Sequence, residues 1–307
     1  MKNLALNTPV VFIIFNRPEL TKKVFLEISK VKPKKLLIIS DGPRPEVKGE
    51  IDRVMQSRSI INNVDWECSI DLNFSEINLG CKQRVSSGLD WVFSLVPEAI
   101  ILEDDCLPEE SFFYFCQELL SHYRDDPRIG MIGGTNFLPK EFIKNQSYYF
   151  SKYSHIWGWA TWADRWNGFY DVEINNFPNF DLKDMCQTSN EKKYWHKTFS
   201  RVFRGEIDTW DYQWTFANWQ SLRMNILPTK NLISNIGFGD FATHTNSYSK
   251  LADMLTYPLN FPLIHPSSLA VNVVADEFVD REFIRLSMYR RIANKIKWVL
   301  SRAIGSL

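Results

Sequence analysis

Short apolar runs alternate with amphipathic segments through the first third of the chain. Val10–Phe15 is an unbroken run of β-branched and aromatic residues, and Lys35–Ser40 and Ala99–Leu102 resemble it. Such runs are typical of strands that are buried on both faces of a sheet. The same criteria predict a strand at Ile70–Phe74 and helices at Glu19–Lys30, Pro45–Ser59 and Arg84–Leu95. Strands that alternate with helices predict βαβ units, and hence an α/β fold with a mostly parallel sheet flanked by helices.

The second part of the chain is dominated by aromatic residues. Helical spacing recurs over Pro108–Tyr123, and Ile129–Gly134 has the pattern of another strand. Eight of the eleven tryptophans lie between Trp157 and Trp219. Residues 251–280 contain prolines and little periodicity, so we predict irregular structure there. We therefore predict one domain over residues 1–250 and a C-terminal extension over residues 251–307.

Charge and cysteine usage exclude several classes of protein. The chain has 36 Lys and Arg against 36 Asp and Glu, whereas a duplex-binding protein normally has a basic excess, so we expect no nucleic acid partner. The five cysteines never form a Cys-x-x-Cys pair, which argues against a disulfide framework and a structural zinc site. No apolar run approaches the roughly 18 residues of a spanning helix. These features, and a start without a signal-peptide pattern, predict a cytoplasmic protein.

Three consecutive carboxylates, Glu103-Asp104-Asp105, directly follow the predicted strand Ala99–Leu102. Ligands of open parallel sheets bind outside the carboxyl ends of the strands. Adjacent carboxylates repel one another unless a cation joins them, and hard oxygen ligands suit Mg²⁺ or Mn²⁺. Such an ion can hold a diphosphate and offset its charge as it leaves. The alternative is a solvated acidic turn before the next helix.

Two other predicted strands also end in polar residues. Asn16-Arg17 follows the first strand, and a guanidinium at that point suits a phosphate. Asp41-Gly42 follows the second strand, where Asp41 could accept a hydrogen bond from a base or ribose. Each alone is more often a turn or cap residue, but three strand ends of this kind favour a nucleotide site.

In series, these segments resemble a GT-A fold glycosyltransferase. The chain is similar to the family of the Golgi N-acetylglucosaminyltransferase that begins complex N-glycan branching, and to bacterial relatives in the broad family-2-like group. The resemblance covers about residues 8–245. It is carried by Asn16-Arg17-Pro18, IISDGPRPE around Asp41, Asn78-Leu79-Gly80, ILEDD with PEESFFYFCQELL, WGWATW at Trp157–Trp162, and Trp210-Asp211.

The resemblance implies a role for each residue of the acidic triplet. Asp105 would bind a Mn²⁺ or Mg²⁺ ion that bridges the donor diphosphate. Glu103 and Asp104 would contact the sugar and the ribose, and Arg17 would contact the nucleotide phosphate. The reaction implied is transfer of a hexosyl or N-acetylhexosaminyl group, with inversion, from a UDP-sugar to a saccharide.

The resemblance also implies how the base is bound and how the domain divides. Asp41 would contact uracil, and position 84 lies near the base, although this chain has Arg84 where the Golgi enzyme has histidine. Residues 1–107 would form the nucleotide-sugar half and residues 108–250 the acceptor half. UDP-N-acetylglucosamine is the donor that the resemblance suggests, while UDP-galactose and UDP-glucose fit equally well.

Direct displacement at an anomeric carbon needs a base on the face opposite the diphosphate. The metal cluster occupies the leaving-group side, so another carboxylate is required. Asp211 lies among aromatic residues, and apolar surroundings raise the pKa of a carboxylate towards a useful value. In the resembling family an Asp of a Trp-Asp segment is the proposed base. The alternatives are a helix-start residue, or Asp208 and then Glu206 as the base.

Two further segments contain candidate ligand contacts. Aromatic rings can pack on the apolar faces of sugars, and of Trp157, Trp159 and Trp162 we assign the segment at Trp157 to the site. Gly158 permits close backbone approach there. His244 follows a glycine-rich loop, and GT-A enzymes often use a histidine of this region as a metal or phosphate contact.

The C-terminal stretch 281–307 has seven Lys or Arg and one acid, with apolar residues at helical spacing. A basic amphipathic helix suits the anionic inner face of a membrane, where a lipid-linked acceptor would lie. A helix that packs its apolar stripe on the domain fits the pattern equally.

Two other functions remain open from the sequence. A nucleotidyltransferase also combines acidic metal ligands with a Rossmann-like sheet, but Phe15–Pro18 lacks the glycine-rich basic loop of that class. A non-catalytic glycan-binding protein is the second, against which the acidic triplet and Asp211 argue.

Overall fold

The protein, as a computed structural model, is described over residues 5–238, 251 and 253–284. The strands are β1 (Val10–Ile14), β2 (Lys35–Ser40), β3 (Ser69–Phe74), β4 (Glu98–Glu103), β5 (Cys106–Pro108), β6 (Ile129–Gly133), β7 (Tyr148–Ser151), β8 (Trp159–Trp162), β9 (Met224–Pro228) and β10 (Ile233–Asn235). Eight of them form one sheet in the order β3-β2-β1-β4-β8-β6-β9-β7. All of these except β7 and β8 run in one direction. β5 and β10 form a separate antiparallel pair.

Helices cover both faces of the sheet. They are α1 (Pro18–Val31), α2 (Glu50–Arg58), α3 (Gly80–Leu95), α4 (Ser111–His122), α5 (Ala163–Trp166), α6 (Ser189–Phe203), α7 (Asp211–Gln220) and α8 (Val273–Val279). Short 3-10 turns lie at Ser59–Asn63, Phe177–Asn179 and Leu182–Asp184, and a π-helical turn, Asp280–Ile284, follows α8. The predicted α/β class, with a mostly parallel sheet flanked by helices, is confirmed.

The alternating side chains of β1 show how the core is layered. Phe12 packs in one hydrophobic cluster with residues of α1 and α4. Val11 packs in a second cluster with residues of α3 and α7, on the opposite face. A third cluster joins α6, α7 and α8 beside β7 and β9. β1, β2 and β4 are buried on both faces, which explains their apolar sequences, whereas β3 at the edge of the sheet is partly exposed.

Two sequence-based helix boundaries are wrong for identifiable reasons. The helix predicted at Pro45–Ser59 begins only at Glu50, because Gly49 has a φ of 72° and the buried Glu50 carboxylate accepts from the Arg44 backbone N–H. The helix predicted at Pro108–Tyr123 begins at Ser111, since residues 106–108 pair with β10 as a strand.

The region predicted to be irregular, 251–280, contains the helix α8. The side chain of Asn272 caps this helix by accepting from the N–H of Ala275. The Asp276 carboxylate accepts from Ser151 Oγ at 2.6 Å and from the N–H of Lys152 at 3.0 Å, which attaches α8 to the end of β7. The helix has seven residues, which is too short for its buried apolar residues to show an extended helical spacing in the sequence.

Of the basic stretch 281–307, only residues 281–284, at the end of the π-helical turn, belong to the described residues. The membrane-contact prediction for this stretch therefore falls outside the described residues. Within residues 5–238 and 253–284, no helix has the length and apolar character needed to cross a bilayer.

A buried ion pair stabilises the region around α6. Lys152 Nζ lies 2.6 Å from Glu191 Oε1, and the two side chains are only 10% and 4% exposed. Lys152 Nζ also donates to the carbonyl of Met185, and Tyr153 Oη donates to the same Glu191 oxygen. Each charge therefore has hydrogen-bond partners, as a buried pair requires.

We expect Lys152→Met to lower the free energy of unfolding by about 3–5 kcal/mol, because Glu191 would remain buried without its cation. The control is Lys192→Met, which removes the half-exposed pair with Asp181. Exposed pairs contribute at most about 1 kcal/mol. Urea denaturation of both variants measures the difference, and similar losses in the two would contradict the assigned role of Lys152.

Candidate active site

The parallel strands β2, β1 and β4 are neighbours, so their carboxyl ends lie side by side. Arg17, which follows β1, donates from Nη1 to Asp105 Oδ2 at 2.9 Å. Its Nη2 donates to Asp104 Oδ1. Burial disfavours the charged guanidinium, but the carboxylates of Asp104 and Asp105 hold the pKa of Arg17 above its usual value. The structure thus brings together the basic and acidic residues that the sequence places at separate strand ends.

The acidic triplet carries more negative charge than Arg17 neutralises. Burial, and then the charge of Asp105, raise the pKa of Glu103 to about 8, although Arg17 acts in the opposite direction. Burial also raises the pKa of Asp104, again against the effect of Arg17. A carboxyl with such a pKa is partly protonated at neutral pH because its ionised form is destabilised by its neighbours. An additional cation at this point would therefore be favoured.

The segment after β10 closes over Asp105. The N–H of Ile236 donates to the backbone carbonyl of Asp105 at 2.8 Å, and a Cβ atom at Gly237 would overlap the Asp105 carboxylate. Among the described residues, no group of three or more His, Cys, Asp or Glu side chains is arranged to hold a metal. Mg²⁺ usually binds one or two carboxylates together with waters and substrate phosphates. The donor set here fits an ion that binds with a diphosphate, and does not form an all-protein cage.

Asp41 lies at the end of β2 but already has several donors around it. Its carboxylate accepts from the backbone N–H groups of Leu79 and Gly80, at 2.9 and 3.0 Å, and from the Asn78 amide at 3.1 Å. These bonds attach the end of β2 to the start of α3. Burial raises the pKa of Asp41, and the backbone hydrogen bonds oppose that rise. Contact with uracil therefore stays a prediction from the resemblance.

Arg84 lies on α3 and is almost fully buried. Its Nη2 donates to the backbone carbonyl and to the side-chain oxygen of Asn73, at the end of β3. Burial lowers the pKa of Arg84. In this arrangement Arg84 joins α3 to β3, next to the polar ends of the other parallel strands.

Sequence reasoning missed a polar network beside the first two strand ends. The buried Glu50 accepts from the Asn16 amide at 2.7 Å and from the guanidinium of Arg44 at 2.6 and 2.9 Å. Hydrogen bonds from Arg44 lower the Glu50 pKa to about 2. Glu50 looks like an ordinary helix-start acid in the sequence, and only its burial shows that it orders the loops after β1 and β2.

Asp211 lies at the first position of α7 and accepts a hydrogen bond from the hydroxyl of Thr209. It is close enough to the acidic triplet for its charge to add to the rise in the Glu103 pKa. The Cys81 thiol, at the start of α3, has a raised pKa because of burial and then the charges of Glu103, Asp211 and Asp208. The charges of Asp211 and of the carboxylates after β4 therefore act on the same neighbouring groups.

The tryptophans of the WGWATW segment divide between core and cleft. Trp159 and Trp162 are 1% and 0% exposed and belong to the core, so they cannot form the floor of a sugar site. Trp157 is half-buried and its ring lies 5.6 Å from that of Phe137. Gly158 has a φ of 60°, and a Cβ atom there would overlap Ile233. The glycine therefore serves chain packing at the position where Trp157 reaches the cleft.

A cleft of about 300 Å³ lies between Trp157 and Asp211. Its described lining residues come from six segments, and seven of the fifteen are Phe, Tyr or Trp: Phe137, Tyr153, Ser154, His155, Ile156, Trp157, Tyr194, Trp195, Asp211, Tyr212, Thr215, Leu251, Val279, Phe283 and Ile284. Most of these residues were not predicted from the sequence. His155 is one of them, and its position two residues before Trp157 was the one available signal.

The His155 ring is buried in the wall of this cleft. Burial lowers its pKa to about 4, so the imidazole is neutral at pH 7. Nδ1 lies 3.5 Å from the carbonyl oxygen of Thr135, which can only accept. We therefore place the ring proton on Nδ1 and leave Nε2 as an acceptor. His244, the other candidate histidine, lies outside the described residues.

Comparisons with known proteins give a loose structural likeness. No protein-family model and no curated protein matches the sequence. One solved structure similar to the chain is residues 1–349 of S. aureus TarS, with 8% identity and a TM-score of 0.38. The match covers 72% of this chain but only 57% of the TarS chain. A second is the galactosyltransferase LgtC in complex with donor and acceptor sugar analogs (9% identity, 69% and 70% of the two chains, TM-score 0.35).

A third is UDP-glucose pyrophosphorylase complexed with UDP-glucose (8% identity, 72% of this chain and 90% of that chain, TM-score 0.36). TM-scores of this size describe only a distant likeness. The fold described above depends on the strand order and the helix packing of this chain itself.

The buried imidazole predicts how stability changes with pH. Because the unfolded chain protonates His155 below about 6.5 and the folded chain only below about 4, its contribution to stability is lost as the pH falls through that interval. We expect His155→Gln to show a smaller loss of stability than wild type between these values. Denaturant unfolding at several pH values measures this, with the exposed His196→Gln as control. Equal pH slopes for wild type and His155→Gln would contradict the assignment.

Proposed function

We propose that the protein is a metal-dependent glycosyltransferase that moves a sugar from a UDP-sugar, with inversion, to a glycan or a lipid-linked saccharide. One observation supports this most strongly. Asp211, on α7, lies close enough to Glu103, at the end of β4, for the charges of the two carboxylates to interact. A direct displacement needs one group that stabilises the leaving nucleotide and another, on the opposite side, that accepts the proton of the attacking hydroxyl.

On the donor side, Arg17 and Asp105 hold the charged part of the nucleotide. Arg17 lies between β1 and β4 and presents a planar guanidinium, which suits a phosphate. Asp105, with the diphosphate, would hold Mn²⁺ or Mg²⁺. When bound, the ion offsets the charge on the departing nucleotide. Glu103 and Asp104 would contact the sugar and ribose, and Asp41 and Arg84 define the side where the base binds.

On the acceptor side, Asp211 removes the proton from the attacking hydroxyl. Its place at the start of α7 puts it in the lining of the cleft that also contains Trp157. The cleft orients the acceptor sugar, and Asp211 accepts the proton as the hydroxyl oxygen bonds to the anomeric carbon. The location of an acid in the first turn also favours its ionised form through the helix dipole.

Donor binding supplies the first test. We expect UDP and Mn²⁺ together to raise the Tm more than the sum of their separate effects, because each completes the site of the other. Asp105→Asn should abolish this synergy, and Asp52→Asn on the exposed face of α2 should preserve it. Differential scanning fluorimetry measures the shifts. Full synergy in Asp105→Asn would exclude Asp105 as the metal ligand.

Transfer supplies the second test. We expect Asp211→Asn to lower kcat by about 10²–10⁴-fold while the Tm shift with UDP and Mn²⁺ persists. Asp208→Asn, which removes a neighbouring exposed charge, should keep most of the activity. The assay follows UDP release from UDP-sugars with a panel of saccharide acceptors. Loss of transfer in Asp208→Asn, with full transfer in Asp211→Asn, would assign the base to Asp208. Synthesis of a UDP-sugar from UTP and a sugar phosphate would identify a nucleotidyltransferase.

A further inference from the structure

The cleft beside Asp211 combines flat apolar walls with a small volume. Phe137, Trp157, Trp195 and Tyr212 supply aromatic surface, and the π-helical turn after α8 closes one side through Phe283. About 300 Å³ lies at the lower end of the range for small-molecule sites. Apolar walls of this kind pack well against the C–H faces of a ring.

The polar groups of the cleft are acceptors or neutral hydroxyls. Asp211 contributes a carboxylate, and His155 contributes a neutral imidazole. Thr215 and Tyr194 contribute hydroxyl groups. No lysine or arginine occurs among the described residues that line the cleft. The nearby Lys152 is directed to Glu191 and to the carbonyl of Met185.

These groups define the charge of the ligand. A carboxylate or phosphate in the cleft would approach Asp211 without a compensating cation, and like charges at short range in a half-buried site repel strongly. A cationic ligand would pair with Asp211 and compete with its removal of a proton. An uncharged ring that carries several hydroxyl donors satisfies the acceptors and the apolar walls together.

We propose that this cleft is an acceptor subsite that selects an uncharged sugar residue and excludes uronic acids and sugar phosphates. The identification of the ligand as the acceptor rests on the proposed function. The charge selection rests on the cleft itself, because Asp211 and His155 determine it whether or not a sugar is transferred.

Binding of matched sugar pairs to the full chain tests the selection without any turnover. The probes are the methyl glycosides of glucose, galactose and mannose, each paired with its uronic acid. Saturation-transfer NMR titrations give the affinities. We expect at least one neutral glycoside to bind about tenfold more tightly than its uronic acid, which corresponds to about 1.4 kcal/mol.

Variants locate the binding and its charge preference. Trp157→Leu should weaken the neutral glycoside about tenfold by removing an aromatic wall. Asp211→Asn should retain the neutral glycoside and bring the uronic acid to within about threefold of it, because the repelling charge is removed. Asp208→Asn, which does not line the cleft, should leave the tenfold preference unchanged.

Each outcome decides one point. Equal binding of neutral and acidic sugars, or no binding of any probe, overturns the selection. A preference that Asp211→Asn does not change overturns the role of Asp211 in it. If a neutral glycoside binds as expected but no UDP-sugar is ever consumed, the cleft is a carbohydrate site and the proposed transferase function fails alone.

Discussion

The ion pair between Arg17 and the carboxylates of Asp104 and Asp105 is the interaction on which the site depends. It crosses from the end of β1 to the end of β4, two neighbouring parallel strands of the sheet. One guanidinium cannot neutralise three carboxylates, and burial and then the charge of Asp105 raise the pKa of Glu103. The strand ends are thus held together in a state that further positive charge would stabilise.

The sequence predicts the parallel half of the fold well because its strands are buried on both faces. Lys35–Ser40 was predicted to the residue, since a continuous apolar run has no other stable environment in a sheet flanked by helices. The apolar sequence of this strand does not indicate which residues contact the polar side chains that follow it. Asp41 was predicted as a ligand contact, yet its oxygens accept from three residues that follow β3, and only the folded chain brings those donors to it.

The acceptor side was predicted less completely because its residues are distant in the sequence. Trp157, predicted as a ligand contact, and Asp211, predicted as the base, both line one cleft, and their roles stay predictions. His155, Tyr194 and Phe283 reach the same cleft from a loop, a helix and the segment after α8. In an aromatic-rich sequence, a tryptophan can belong to the core or to the surface. Trp159 is buried, and only the folded structure shows this.

The attachment of α8 to β7 through Asp276 has a consequence for how such a site diversifies. The charged groups at the strand ends follow β1 and β4, where a backbone shift disturbs the sheet itself. One wall of the cleft is built from a peripheral segment that is attached by the polar bonds of Asp276 and by the apolar side chains of Ala275 and Val279. Substitutions in that segment can reshape the lining of the cleft while the strand ends stay unchanged, so the two regions are free to change at different rates.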